Sequence, residues 1–408
     1  MKSRTVQPIR SGKRSGDHFI TSFLRWYQKK KAKEQYFDYN LLMIVIFLTC
    51  FGLVMLYSTS SYTAQDKFGS STYYFSRQAI ISVVCFAAMM IVSEIDYHLY
   101  APFVWHIYGL AMFMMALVRW SPLGVESYGS RRWLQLPAGL TMQPSELAKV
   151  AIILLMPYLL CKAGKYAYSL EGMIRTMIPG LVAAGAVYYL TDNLSTAIIV
   201  AGITAGLIFV VHPKKKPFLI AVCIAALLMF LGVQFILANA DSLAESGFRM
   251  QRVLSWLKPE EYAADGSYQV TQALYAIGSG GVFGKGLGNS TQKMVIPEVQ
   301  NDMILSIVCE ELGIFGALVV LFLFAFLLYR LLFIAQNAPD MYGSLVTSGI
   351  FMHIALQVIF NVMVVTKVMP TTGITLPFVS YGGTSILFLM AEMGIVLNIS
   401  RSIPLSGE

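Results

Sequence analysis

Apolar runs near the length a bilayer requires, broken by polar turns, fill most of the 408-residue chain. Ten such runs stand out, at about 41–57, 79–93, 102–118, 144–161, 176–190, 194–211, 218–237, 302–330, 344–366 and 384–399. The pattern predicts an all-α polytopic membrane protein of about ten transmembrane helices. A large loop, 238–301, separates the seventh from the eighth. Lys29, Lys30, Lys31 and Lys33 precede the first run, and Lys162, Lys165, Arg175, the His212–Lys216 stretch and Arg401 mark alternate turns. By the positive-inside rule, both termini are expected in the cytoplasm and loop 238–301 outside. The expected organisation is a basic cytoplasmic arm, 1–40, a transmembrane domain, 41–401, and a short cytoplasmic tail, 402–408.

One segment fits neither class. Pro370–Ser385, PTTGITLPFVSYGGTS, is too apolar for a solvated loop and too rich in Gly and Pro for a straight helix. Irregular backbone survives at membrane depth only inside protein or along a cavity, so this segment is expected to dip back into the outer half of the bundle.

Composition agrees with the pattern: 56% of residues are hydrophobic, 13% are charged, and the mean hydropathy is +0.63. The formal charge of +8 is concentrated in residues 1–40, where ten Lys and Arg stand against Asp17, Glu34 and Asp38. That arm suits an anionic lipid surface; no nucleic-acid partner is expected. The five cysteines show no C-x-x-C pair and no zinc spacing, so they are read as packing residues. The first apolar run is too long for a cleavable signal peptide, and none is expected.

Polar chemistry gathers in four segments. In Tyr128–Trp133, two adjacent arginines beside an indole suit a phosphate at a lipid–water boundary, or ordinary interfacial anchoring. In Gln143–Lys149, QPSELAK, Pro144 opens a helix on which Ser145, Glu146 and Lys149 share a face. Lys149 could hold a diphosphate there, or simply pair with Glu146. In the large loop, Arg249, Arg252 and Trp256 recur at helical spacing in an amphipathic, interfacial segment. The glycines of Gly284–Ser290 fail the nucleotide-loop pattern, since Ser279 and Gly286 stand where Gly and Ser/Thr are needed; they read as tight turns around a site. Finally Asp302 opens the eighth run, where burial would raise its pKa toward that of a general base; the plainer reading is a helix N-terminal acid, with Asn301 or Asp302 as the cap. Glu310 and Glu311 follow further down the run, either functional or paired with a cation such as Lys367.

Six motifs in order, GSRRW at 129–133, QPSELAK at 143–149, SYQVTQALYAIGSGG at 267–281, GKGLGNSTQK at 284–293, PEVQNDMILSIVCEELG at 297–313 and PTTGITLPFVSYGGTS at 370–385, resemble the SEDS (shape, elongation, division and sporulation) family. The resemblance covers roughly Leu41–Arg401 and is closer to the FtsW/SpoVE branch than to RodA. It implies an integral-membrane peptidoglycan glycosyltransferase in the bacterial cytoplasmic membrane. Such an enzyme polymerises lipid II on the outer face, with inversion and release of undecaprenyl diphosphate. The family's essential acid matches Asp302, which the resemblance makes the catalytic base. Substrate contacts are carried to Arg131, Arg132, Trp133, Gln143, Ser145, Glu146, Lys149, Gln272, Lys293, Tyr381, Gly382 and Gly383. The resemblance also implies a class B penicillin-binding protein, a monofunctional transpeptidase, as partner. It implies no organic cofactor and allows a divalent cation, Mg²⁺ or Mn²⁺, to assist, although the sequence shows no ligand set. Two positions depart from the pattern: Asn193 stands where Asp is frequent, and Lys367 where a small residue is usual. The competing readings are a flippase for the same lipid and a non-catalytic scaffold for a transpeptidase.

Overall fold

The computed structural model describes residues 36–127, 130–135, 141–243, 248–258, 261 and 268–404. The basic arm through residue 35, Tyr128 and Gly129 of the YGSRRW motif, and the tail from 405 lie outside the described residues. So does the side chain of Arg249. The helices are α1 (Tyr39–Phe68), α2 (Tyr73–Glu94), α3 (Val104–Trp120), α4 (Pro144–Ala163), α5 (Leu170–Leu190), α6 (Leu194–Val211), α7 (Lys216–Ala238), α8 (Phe248–Leu257), α9 (Tyr268–Gly280), α10 (Ile304–Asn337), α11 (Met341–Val365) and α12 (Ser385–Arg401). Nine of the described helices are long and apolar enough to cross a membrane. The tenth expected span is α12, 17 residues long and packed against α2. The chain is a multi-pass membrane protein.

Two boundaries differ from the sequence expectation. α1 continues past the expected run of 41–57 through Phe68, into the polar stretch Tyr62–Arg77 expected between the first two spans, because its hydroxyls are satisfied where they stand. Thr59 donates to Met55 O, Ser60 to Leu56 O, and Ser58 reaches the carboxylate of Glu311. The segment between α3 and α4 is not all loop. It forms a three-stranded antiparallel sheet, β1 (Gly124–Ser127), β2 (Ser130–Gln135) and β3 (Thr141–Met142), in the order β1-β2-β3. That small sheet is the one departure from an all-α chain among the described residues.

α4 and α11 run through the middle of the bundle, with buried residues along most of α4 and about half of α11. α7 lies at the opposite extreme, with no buried residue along its 23 positions. α10 is broken at Gly313, where φ 73° and ψ −174° leave the helical region. The chain from Gly280 to Gly286 passes through the break and satisfies its backbone: Ile314 N–H donates to Gly281 O, and Lys285 N–H donates to Glu310 O. A methyl at Gly313 would lie 2.2 Å from Val282 O, so this crossing admits glycine alone.

The segment between α11 and α12 enters the bundle as expected. Ile374 and Leu376–Ser380 are buried and non-helical, and a methyl on Gly52, near the middle of α1, would lie 2.7 Å from Phe378 O. The segment thus reaches well along α1 from the end of the bundle that also holds the sheet, α8, α9 and Asp302.

Candidate active site

The re-entrant segment is the hub on which other elements converge, one residue at a time. Arg252 of α8 donates to Thr371 O at 3.4 Å, and Ser195 of α6 to Thr372 O at 3.1 Å. At Gly373, φ is +70°, and a methyl there would lie 3.6 Å from Nη1 of Arg132 and 3.9 Å from Oδ2 of Asp302. Asn361 of α11 donates to both Ile374 O and Asp302 O, at 2.8 Å each. Gln357, one turn away on the same face, donates to Thr375 O at 3.0 Å and accepts from Lys149 Nζ at 3.3 Å. Sheet, α4, α6, α8, α11 and the turn before α10 thereby fix a carboxylate and three cations around five consecutive residues.

Asp302 lies in the turn before α10, whose N-cap position is Met303; neither Asn301 nor Asp302 caps the helix. Gln269 of α9 donates to Asp302 Oδ1 at 3.3 Å. Burial pushes the Asp302 carboxyl up to about 6, while its own backbone N–H, the charge of Arg252 and the Gln269 amide pull it down. The Arg252 guanidinium is pushed down by burial, with Asp302 opposing that shift. A partly buried carboxylate near 6, with guanidinium groups around it, has the properties of a base that loses its proton readily above pH 6.

The two arginines of β2 point apart, as successive residues on a strand must. Arg132 lies at Gly373 and reaches Asp192 O at 3.5 Å. Arg131 turns back into its own loop, donating to Arg119 O and Gly124 O at 3.3 and 3.2 Å. Trp133 is half-buried and pairs with Val125 across the sheet. Lys149 and Glu146 do form the expected ion pair, Nζ to Oε1 at 2.9 Å, with Lys149 2% and Glu146 7% exposed. The pairing does not remove Lys149 from the site, because Gln357 links its ammonium to Thr375. Gln143 donates to the buried Ser145 at the start of α4, a contact internal to the helix end.

Other candidates fall at the margins. Tyr381 packs edge-on against Tyr74, with its N–H on Gln300 O, and Thr384 donates to Thr141 O; Gly382 and Gly383 complete that wall. Gln272 is half-buried on α9, but Gln269 is the α9 amide on the carboxylate. Lys293 belongs to a second cluster, with Nζ 2.6 Å from Gly288 O and 3.3 Å from Glu311. Glu310 pairs with Lys285 at 2.7 Å. These acids therefore brace the Gly284–Lys293 loop against the break in α10, and their partners are Lys285 and Lys293 rather than Lys367. Asn193 caps α6 by accepting from Thr196 N–H, a role that Asp would fill equally well.

Arg252, Gln269, Ser195, Gly373, Gln357 and Asn361 were not among the sequence candidates for the site. For Gln357 and Asn361 a signal was present, since both are polar, four residues apart, inside the otherwise apolar stretch Ile354–Val365.

A family model described as Cell cycle protein, covering FtsW, RodA and SpoVE, matches residues 39–404. Stage V sporulation protein E of Bacillus subtilis (strain 168) is 35% identical over 89% of this chain and 97% of its own. A probable peptidoglycan glycosyltransferase FtsW of Geobacter metallireducens is 34% identical over 91% of this chain and 96% of its own. A chain in a solved structure described as structural coordination of polymerization and crosslinking by a peptidoglycan synthase complex superposes with a TM-score of 0.71. It is 24% identical, over 90% of this chain and 98% of that one, and so shares the fold. With a match from the first helix to the end of the last, the chain belongs to the FtsW/RodA/SpoVE family of cell cycle proteins.

Proposed function

We propose that the protein is a peptidoglycan glycosyltransferase that polymerises lipid II, the undecaprenyl-diphosphate-linked disaccharide pentapeptide, into glycan strands. The observation that carries this reading is the meeting of Asp302 and Arg132 at Gly373, with Arg252 and Lys149 tied to the same five-residue run. In the proposed step the 4-hydroxyl of the acceptor GlcNAc attacks the anomeric carbon of the donor MurNAc. Asp302 takes the hydroxyl proton as the new C–O bond forms. The bond from the anomeric carbon to the diphosphate breaks, and undecaprenyl diphosphate leaves with inversion. Arg132, Arg252 and Lys149 neutralise the charge that develops on the departing diphosphate.

Among the described residues no group of three or more His, Cys, Asp and Glu is placed to hold a metal; the groups around Asp302 are the Arg252 and Arg132 guanidinium groups, the Gln269 amide and one further carboxylate, Glu298. The described residues thus supply no such cluster, and no step here runs through a divalent cation.

The basic residues near Lys162, Lys165 and Arg401 sit at the end of the bundle opposite Asp302, which supports a site on the outer face of the bacterial cytoplasmic membrane with both termini inside. The likeness to a chain of a peptidoglycan synthase complex supports a class B penicillin-binding protein as partner.

Purified protein given lipid II in detergent is expected to make glycan strands, and Asp302→Ala to abolish them while the protein stays folded. Lipid movement between leaflets of liposomes without polymer would establish the flippase instead. Undiminished growth on Asp302→Ala would leave a scaffold.

A further inference from the structure

His353 and Glu392 take no part in the chemistry proposed above, yet both are buried at mid-helix. His353 is 1% exposed, Glu392 0%, and the imidazole Nδ1 lies 2.8 Å from a Glu392 carboxylate oxygen. His353 is the thirteenth of 25 residues in α11, and Glu392 the eighth of 17 in α12. Buried Ile350, Ile354, Leu389 and Met393 surround them in sequence. Two ionisable groups in such a place are costly, and an apolar pair of similar volume would serve stability as well or better.

Their position in the ladder of α11 suggests what the pair does. His353, Gln357 and Asn361 are spaced four apart and share one face. The upper two hold the re-entrant segment through Thr375 O and Ile374 O, and Asn361 also holds Asp302 O. That segment is the covalent link between α11 and α12. α12 packs chiefly along α2, where a methyl on Gly394 would lie 2.6 Å from Met89 O. Asn398, which donates to Ser93 O, and Arg401, which pairs with Glu94, tie the far end of α12 to α2; against α11, with apolar contact alone, the end of α12 that carries the hairpin could slide or turn, and the tip would move with it. A directional hydrogen bond fixes both register and rotation, which is the best-attested use of a buried polar pair.

We infer that His353 and Glu392 are positioning residues: their hydrogen bond locks α12 to α11 and so fixes the Thr371–Thr375 run on which Asp302 and the cations converge. The inference rests on the polymerase reading for its kinetic consequences, but not for its structural one.

The test uses full-length protein in detergent, comparing wild type with Glu392→Gln and with the double variant His353→Leu/Glu392→Met. Gln still accepts from Nδ1–H, whereas the double variant replaces the bond by an apolar contact. The double variant is expected to melt at or above the wild-type temperature, with kcat for lipid II at least tenfold lower and KM within twofold. Glu392→Gln is expected to keep kcat within threefold. A second readout needs no activity. The Trp256 indole donates to Lys367 O at the start of the segment, so a 5-fluorotryptophan label there reports the segment's position by ¹⁹F NMR, assigned with Trp256→Phe. That resonance should move in the double variant and stay in Glu392→Gln. Wild-type turnover with an unmoved resonance in the double variant would overturn the clamp, as would Glu392→Gln being as defective as the double variant. Should wild type make no polymer, the polymerase reading fails, and the resonance alone decides: moved, the clamp stands; unmoved, it falls.

Discussion

Replacing Asp302 by Asn should stabilise the protein while removing most of its activity. The carboxyl is pushed from 3.8 up to about 6 by burial, the largest influence on it. A shift of two units corresponds to about 3 kcal/mol, and the solvent that still reaches the side chain reduces this to about 2 kcal/mol. The sign follows from proton uptake. Between 3.8 and about 6 the folded state holds a proton that the unfolded state has released, so stability falls as pH rises through that window and is level above it. Asn cannot ionise, yet its side-chain oxygen still accepts from Gln269. The variant should therefore match wild type near pH 4 and pull ahead by about 2 kcal/mol by pH 7. Apparent unfolding midpoints in detergent, followed by intrinsic fluorescence from pH 4 to pH 8, measure the gap. Polymerisation of lipid II by the variant should fall by about 10²–10⁴-fold, the range for loss of a general base. A gap that stays constant with pH, or an Asn variant less stable than wild type at pH 7, would refute the claim that this carboxylate is ionised against its surroundings.

Other substitutions separate the parts of the site. Arg252→Ala removes a charge that holds the Asp302 carboxyl down, so the acidic limb of the pH–rate profile should move above 6, while Arg252→Lys should keep most of its position. Gly373→Ala places a side chain at φ +70° within 4 Å of both Arg132 and Asp302; it should cost about 1–3 kcal/mol of stability and at least tenfold in kcat, read by thermal unfolding and strand synthesis. Lys293→Met leaves Glu311 buried without its cation, so the yield of folded protein should drop by an amount consistent with about 3–5 kcal/mol. KM for lipid II in the surviving fraction should be unchanged, because Lys293 faces the brace of α10 rather than the re-entrant run.

The spans were legible because each must satisfy its backbone internally and face lipid or protein, which leaves long apolar runs in the sequence. The inward dip of Pro370–Ser385 followed from the same constraint. Loop chemistry was less legible, since a residue's type does not reveal its direction. Arg131 and Arg132 are chemically equivalent in sequence, and only strand pairing sends one to the loop backbone and the other to Gly373. Arg252 read as an interfacial anchor because its amphipathic helix resembles one; its guanidinium on Thr371 O depends on how α8 lies against a segment about 120 residues away. Lys293 lies apart from the re-entrant run for the converse reason. Its motif adjoins the site in sequence, but the break at Gly313 turns that loop toward Glu310 and Glu311.

The same cations that suit a diphosphate also set the working pH of the base, and the two roles interact. In the free protein Arg252 lowers the Asp302 pKa and so opposes burial. A bound diphosphate occupies these cations and brings negative charge toward the carboxylate. One added negative charge about 7 Å away contributes about 2 kcal/mol at an effective dielectric of about 20, more than one pKa unit before Arg132 and Lys149 offset part of it. Base and substrate thus compete for the same positive field, and Asp302 should hold its proton more tightly in the complex. Because kcat/KM reports the free protein and kcat the complex, the acidic limb should fall near pH 6 in kcat/KM and about one unit higher in kcat. Initial rates of strand synthesis against lipid II concentration, from pH 5 to pH 8.5, separate the two profiles. Coincident limbs would mean that the diphosphate is held away from Asp302, and the cations would then have to be assigned to the acceptor sugar or to structure.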